Sequence, residues 1–179
     1  QRRLQTMPKP TRRQFLATSS TAALGSGLSA SMIPNVHVNS REEIRVALVG
    51  CGGRGTGAVA QIFNTKGVTR LVAVADAFEN KAKNAVKNLT NHAKEKVDVP
   101  ADRIFSGMDA YKKAIDSECD LVVIATPPGF KPQQFDYAIQ ANKHVFMEKP
   151  VAVDAPGVRR VLAAVERSKK QQRMVAIGL

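Results

Sequence analysis

The sequence predicts an α/β fold, a doubly wound parallel sheet with helices on both faces. Three observations carry this. Short runs rich in Val, Ile, Leu and Ala recur between residues 44 and 177, as expected of strands buried on both faces. Segments of helical length separate them, which suits crossover connections rather than hairpins. The first run closes on a glycine-rich turn that opens a helix, and the second closes on a lone carboxylate, Asp76. With 179 residues and 44% hydrophobic side chains, the chain can bury one medium core.

The elements follow in order. Ile44–Val49 is a buried strand that ends at Gly50, and Thr56–Phe63 suits a helix. Leu71–Ala75 is the second strand, and Glu79–His92 a helix with exposed lysines. Residues 91–102 form a polar connection broken by Pro100. Arg103–Phe105 is a short third strand, followed by a helix over Asp109–Ile115. Leu121–Ala125 is the strongest strand signal. Lys131–Ala141 is helical and His144–Met147 a strand. Asp154–Lys170 is a helix capped by Asp154, and Met174–Ile177 is the last strand.

Charge is unevenly divided. Five of the 27 basic residues fall in the first 40, where Asp and Glu are absent, leaving 22 basic against 15 acidic side chains in the rest. That moderately basic body, spread over helix surfaces, does not point to nucleic acid. Cys51 and Cys119 are too few and too distant for a disulfide framework, and no zinc-type Cys/His spacing is present.

Residues 1–40 read as a targeting segment and linker, and residues 41–179 as the folded domain. Thr11-Arg12-Arg13-Gln14-Phe15-Leu16-Ala17 resembles the twin-arginine (Tat) export motif, with Ala17 in place of its lysine. Gln14 to Ser40 has no Lys, Arg, Asp or Glu and is only weakly apolar. A stable membrane span needs about 20 strongly apolar residues, so none is expected here. The motif implies export of the folded protein by the Tat machinery to the periplasm or beyond.

Gly50-Cys51-Gly52-Gly53-Arg54-Gly55 matches Gly-x-Gly-x-x-Gly. Alone the pattern is weak, but here it follows a strand, opens a helix and precedes Asp76 at the end of the next strand. Gly50 allows the tight turn, Gly52 lets backbone approach a pyrophosphate, and Gly55 lets the helix pack on the sheet. Gly53 and Arg54 lie within the same phosphate-facing loop. Asp76 is placed to accept hydrogen bonds from the adenosine ribose and would repel a 2′-phosphate, which favours NAD over NADP. Arg54 and Lys81 are the nearby cations that could accommodate NADP. Cys51 reads as a small loop residue rather than a nucleophile, and His144 as structural.

Two further segments narrow the family. They are Ala125-Thr126-Pro127-Pro128, after the strongest strand, and Asn142-Lys143-His144-Val145-Phe146-Met147-Glu148-Lys149-Pro150. With the glycine loop these resemble the Gfo/Idh/MocA oxidoreductases, over Arg45 to Leu179. The resemblance implies a Rossmann domain followed by an α+β domain that carries the rest of the substrate site and the dimer contact. It implies that Thr126 and Pro127 line the nicotinamide side and that Glu148 contacts the cofactor ribose or orients its neighbour. Lys149 would be the catalytic lysine, hydrogen-bonding the reacting hydroxyl and assisting its proton transfer. Pro150 would fix the turn that aims it, with a cis bond accommodated there. The commonest family loop has Asn and His where this chain has Pro128 and Lys131, so no contact is carried over to those two.

The implied activity is NAD-dependent hydride transfer at a sugar or cyclitol hydroxyl. An alternative within the family is an NAD-dependent glycosidase that works by transient oxidation. An alternative of another class is a non-catalytic NAD-binding or sensor module. With no counterpart of the second domain in these residues, the chain reads as an N-terminal fragment. It is expected to bind cofactor but turn over little substrate, and to leave homo-oligomer formation to the longer protein.

Overall fold

The computed structural model describes residues 43–178. The export motif with Arg12 and Arg13, and the rest of residues 1–40, lie outside the described residues.

The strands are β1 (Glu43–Val49), β2 (Val68–Asp76), β3 (Ile104–Ser106), β4 (Leu121–Ile124), β5 (His144–Met147) and β6 (Val175–Ile177). The helices are α1 (Gly53–Phe63), α2 (Glu79–His92), α3 (Ala110–Asp116), α4 (Lys131–Gln140) and α5 (Ala155–Lys170). They form one sheet of order β3-β2-β1-β4-β5-β6 in which every neighbouring pair is parallel. The winding direction reverses between β1 and β4, so the connections leaving their carboxyl ends diverge and open a crevice there.

The pleat of β1 divides the core. Val46 and Leu48 pack with Val59 and Phe63 of α1 and with Ala82, Ala85 and Leu89 of α2. Ala47 and Val49 pack the other way, with Ala114 and Ile115 of α3, Phe135 and Ile139 of α4, and Val161 and Ala164 of α5. A bulge adjusts β2 to both layers. Val46 pairs with Leu71 and Ala47 with Ala73, so Val72 is the extra residue, and Val72 and Ala73 both join the α3–α5 layer.

Several boundaries differ from the sequence reading. α1 begins three residues earlier, at Gly53, so Gly53 and Gly55 belong to the helix rather than to the turn. β2 begins three residues earlier, at Val68, because backbone pairing to β1 continues through polar Thr69 and Arg70. The Arg70 Nε to Glu43 Oε1 contact of 2.6 Å supports that extension from the side chains. Two short 3-10 turns, Lys94–Lys96 and Ala101–Arg103, shape the polar connection. Asp154 does cap α5, its Oδ1 accepting from Gly157 N at 2.7 Å. α5 is tied to α4 where buried Asp136 accepts from Arg160 Nε at 2.9 Å and from Arg167 Nη2.

Among the described residues no helix is long and apolar enough to cross a membrane, and no cluster of His, Cys, Asp or Glu could hold a metal ion.

Candidate functional site

The first side of the crevice is built from glycine backbone. Gly50 has φ +95°, and a Cβ there would lie 2.7 Å from Ala125 C and Thr126 N. The chain can therefore turn off β1 hard against the end of β4 only without a side chain. Gly55 is tighter still, since its Cβ would stand 2.0 Å from Gly50 O. A Cβ on Gly52 or Gly53 would meet nothing within 4 Å, so both are open outward. α1 has no side-chain cap at Gly52 and no acidic residue in its first turn. Its leading N–H groups, which have no intrahelical acceptor, are thus free to meet an anion.

Asp76, at the end of β2, is locked to this turn. Its Oδ2 accepts from Cys51 N at 2.7 Å and its Oδ1 from Phe78 N at 3.0 Å. Each carboxylate oxygen can accept a further donor, so the residue fixes the loop and still offers acceptors to a ligand. The Cys51 thiol is buried, and burial together with the Asp76 charge pushes its pKa up to about 12. It is no nucleophile at neutral pH.

The second side depends on buried side chains. Thr126 Oγ1 donates to Gln134 Oε1 at 2.5 Å. Lys131, only 2% exposed, donates through Nζ to the carbonyls of Glu148 (2.6 Å), Lys149 (3.1 Å) and Pro150 (3.0 Å). The Lys149–Pro150 bond is cis. Glu148 is 8% exposed, and among the described residues no donor meets its carboxylate. Gly178, just past β6, abuts it, since a Cβ there would lie 2.8 Å from Glu148 Oε2. Lys149 itself is exposed. His144 lies on β5, where its Nδ1 accepts from Met174 N at 2.9 Å.

A cavity of about 600 Å³ runs along the strand ends and joins the two sides. Gly50, Gly52, Arg54 and Asp76 line it from the β1–β2 side. Thr126, Pro127, Glu148 and Lys149 line it from the β4–β5 side. Of the residues proposed from sequence, Gly53 and Gly55 are not among its walls. Gly55 is buried beneath Gly50, and Gly53 opens on a groove between α1 and α2. Phe78, Lys81, Met108, Lys131 and Gln134 also line the cavity. Sequence reasoning gave no role to Lys131 or Gln134. Their one signal is a spacing of three, which places both on one face of a helix.

β2 and β5 are three strands apart, about 14 Å at ~4.8 Å per strand. The span, the bare N–H groups at one side and the carboxylates of Asp76 and Glu148 suit a long ligand with a central anion and hydroxyl-bearing ends. That combination of sheet order, glycine turn and carboxylate defines a dinucleotide-binding Rossmann domain. The family model described as an oxidoreductase family with an NAD-binding Rossmann fold matches residues 44–177. The chain belongs to this Gfo/Idh/MocA family, as its NAD-binding domain. It is 33% identical over 129 residues to glycosyl hydrolase family 109 protein 1 of Bacteroides fragilis, covering 71% of this chain and 26% of the relative. It is 28% identical over 136 residues to the alpha-N-acetylgalactosaminidase of Shewanella oneidensis, covering 75% and 28%. Among solved structures it resembles the myo-inositol 2-dehydrogenase of Lactobacillus plantarum, with TM-score 0.57, 26% identity, and coverage of 76% of this chain and 36% of that one. The chain thus spans about a quarter of the length of the curated relatives it matches.

Proposed function

We propose that this chain is the cofactor half of an NAD-dependent oxidoreductase acting on a sugar or cyclitol hydroxyl. The observation that carries the reading is Lys149. It is an exposed amine on the β4–β5 wall of the cavity, on a turn held from beneath, three strands from Asp76. NAD, when bound, supplies the acceptor for the hydride removed from the substrate carbon. The chain's own residues do the rest. The Gly50–Gly52 turn and the start of α1 would meet the pyrophosphate, and Asp76 would accept from the adenosine ribose. Thr126 and Pro127 would border the nicotinamide, and Glu148 would lie beside its ribose. Lys149 would hydrogen-bond the substrate hydroxyl and assist transfer of its proton, accepting it only as the uncharged amine. The Asp76 carboxylate disfavours a 2′-phosphate, so NAD is preferred to NADP although Arg54 and Lys81 stand nearby.

The relatives named as glycosyl hydrolases and as an alpha-N-acetylgalactosaminidase favour a second reading, NAD-dependent glycoside cleavage by transient oxidation at the same site. Assay of the full natural protein separates the two. NADH accumulation with inositols or sugars supports a dehydrogenase. Release of nitrophenol from nitrophenyl N-acetylgalactosaminide without net NADH supports cleavage. Cofactor binding with neither activity supports a sensor module and overturns both.

We further propose that Arg12 and Arg13 direct Tat export of the folded protein to the periplasm. A twin-lysine variant that still reaches the periplasm by that route would refute this.

A further inference from the structure

We infer that Lys131 is the positioning residue for Lys149, and that α4 is the rigid part on which the nicotinamide-binding edge is built. This rests on the proposed reading that the nicotinamide lies at the Thr126–Lys149 side. An ammonium has three N–H donors, and Lys131 Nζ has three carbonyl acceptors, all on one turn. A buried cation is tolerated only when hydrogen-bonded throughout, so the turn and the ammonium fix each other's position. The middle acceptor is the carbonyl of Lys149 itself, at 3.1 Å, so rotating that peptide breaks the set.

Burial disfavours the charge on Lys131 and the Glu148 carboxylate favours it. The residue is anchored at the other end as well, because it begins α4, whose Phe135, Ala138 and Ile139 are fully buried in the core. One turn further along, Gln134 takes the Thr126 hydroxyl at 2.5 Å. The two walls of this edge, Thr126 from β4 and Lys149 from β5, are thus held by two polar side chains of a single helix. Lys131 touches backbone and not the reacting atoms, so its effect is exerted through the geometry of Lys149 and Glu148.

The test is calorimetric titration of this chain with NAD and with ADP, which reaches only the glycine turn and Asp76. Lys131→Met should weaken NAD binding about tenfold, the equivalent of one good hydrogen bond, and leave ADP within about twofold. Lys131→Gln, whose amide can donate twice, should recover part of the loss and serves alone if the Met variant does not fold. Equal loss for both nucleotides would mean that Lys131 only holds the domain together. Unchanged NAD affinity would also overturn the inference. If the unaltered chain binds NAD no more tightly than ADP, the placement of the nicotinamide fails instead, and the inference with it.

Discussion

On the β1–β2 side of the crevice the binding surface is made of backbone, while on the β4–β5 side it is made by buried polar side chains. Around Gly50 and Gly55 there is no room for a Cβ, and the approach of strand, turn and helix sets where the N–H groups point. Around Lys149 the turn is set from below by Lys131 beside Glu148, and Gln134 holds Thr126 opposite, all three side chains buried. The first kind of surface tolerates almost no change at its tight glycines, whereas the second can be retuned one side chain at a time. This asymmetry suits a fold in which dinucleotide binding stays constant while the chemistry at the far end varies.

The largest expected effect is on the side-chain-built half. On the proposed reading, Lys149→Ala in the full natural protein should lower turnover about 10²- to 10⁴-fold, the usual worth of a positioned proton-transfer group. Because Lys149 is exposed, the melting curve should barely move, within about 0.5 kcal/mol. Steady-state rates and denaturant melts on the same preparations check this, and a rate within threefold of the parent would remove Lys149 from the chemistry.

On the backbone-built half the glycines should separate into two kinds. Gly55→Ala forces a Cβ to within 2.0 Å of Gly50 O and should cost about 2–3 kcal/mol or more of stability. Gly52→Ala meets no atom within 4 Å and should be nearly neutral for folding, yet weaken NAD by about tenfold or more as the methyl enters the pyrophosphate's place. Equal stability of the two variants would show that Gly52 and Gly55 do not differ in kind.

These differences bear on what could be read in advance. The glycine turn was legible because its geometry is local and only glycine satisfies it, and Asp76 because it ends a strand at a fixed distance along the chain. The doubly wound sheet was legible because each apolar run is bounded by its own turn or helix signal. Lys131 was not, because a lysine before Pro132 at the start of a helix normally points to solvent. Its burial is decided by carbonyls 17 to 19 residues away. The early start of β2 was hidden for a related reason, since Thr69 and Arg70 join the sheet through backbone pairing that side-chain polarity does not report.

A smaller effect is expected at the carboxylate. Asp76→Ala should narrow the preference of this chain for NAD over NADP, with a change of about tenfold in the ratio of dissociation constants. It also leaves Cys51 N and Phe78 N without the acceptor they now share, so some stability is lost with it. Asp76→Asn keeps an acceptor oxygen and loses the charge. It should narrow the preference with less loss of stability, and a preference unchanged in both variants would show that discrimination lies elsewhere.

The smallest effect distinguishes the halves by the pH at which each loosens. In the side-chain-built half, His144 Nδ1 accepts the Met174 N–H that leads into β6. Burial first, then the Arg173 charge, hold the ring below the ordinary histidine pKa, against a weaker opposing pull from Asp120. A base with a depressed folded pKa contributes stability above its unfolded value, about 6.5, and loses it as the pH falls. In the backbone-built half, Cys51 is an acid whose pKa is raised to about 12, chiefly by burial and then by Asp76. Its contribution is complete below the unfolded thiol value of about 8.5 and declines as the pH rises toward the folded one. Acid should therefore loosen the β5–β6 edge first, and alkali the turn after β1. Hydrogen exchange at pH 5 and pH 10, compared with pH 7, would show this as lost protection at Met174 in the first case and at Gly50 in the second. His144→Gln and Cys51→Ala should each flatten their own limb of the stability profile and leave the other unchanged. Loss of protection at both places together, at either pH, would mean that the two halves open as one unit and that their different construction has no consequence for stability.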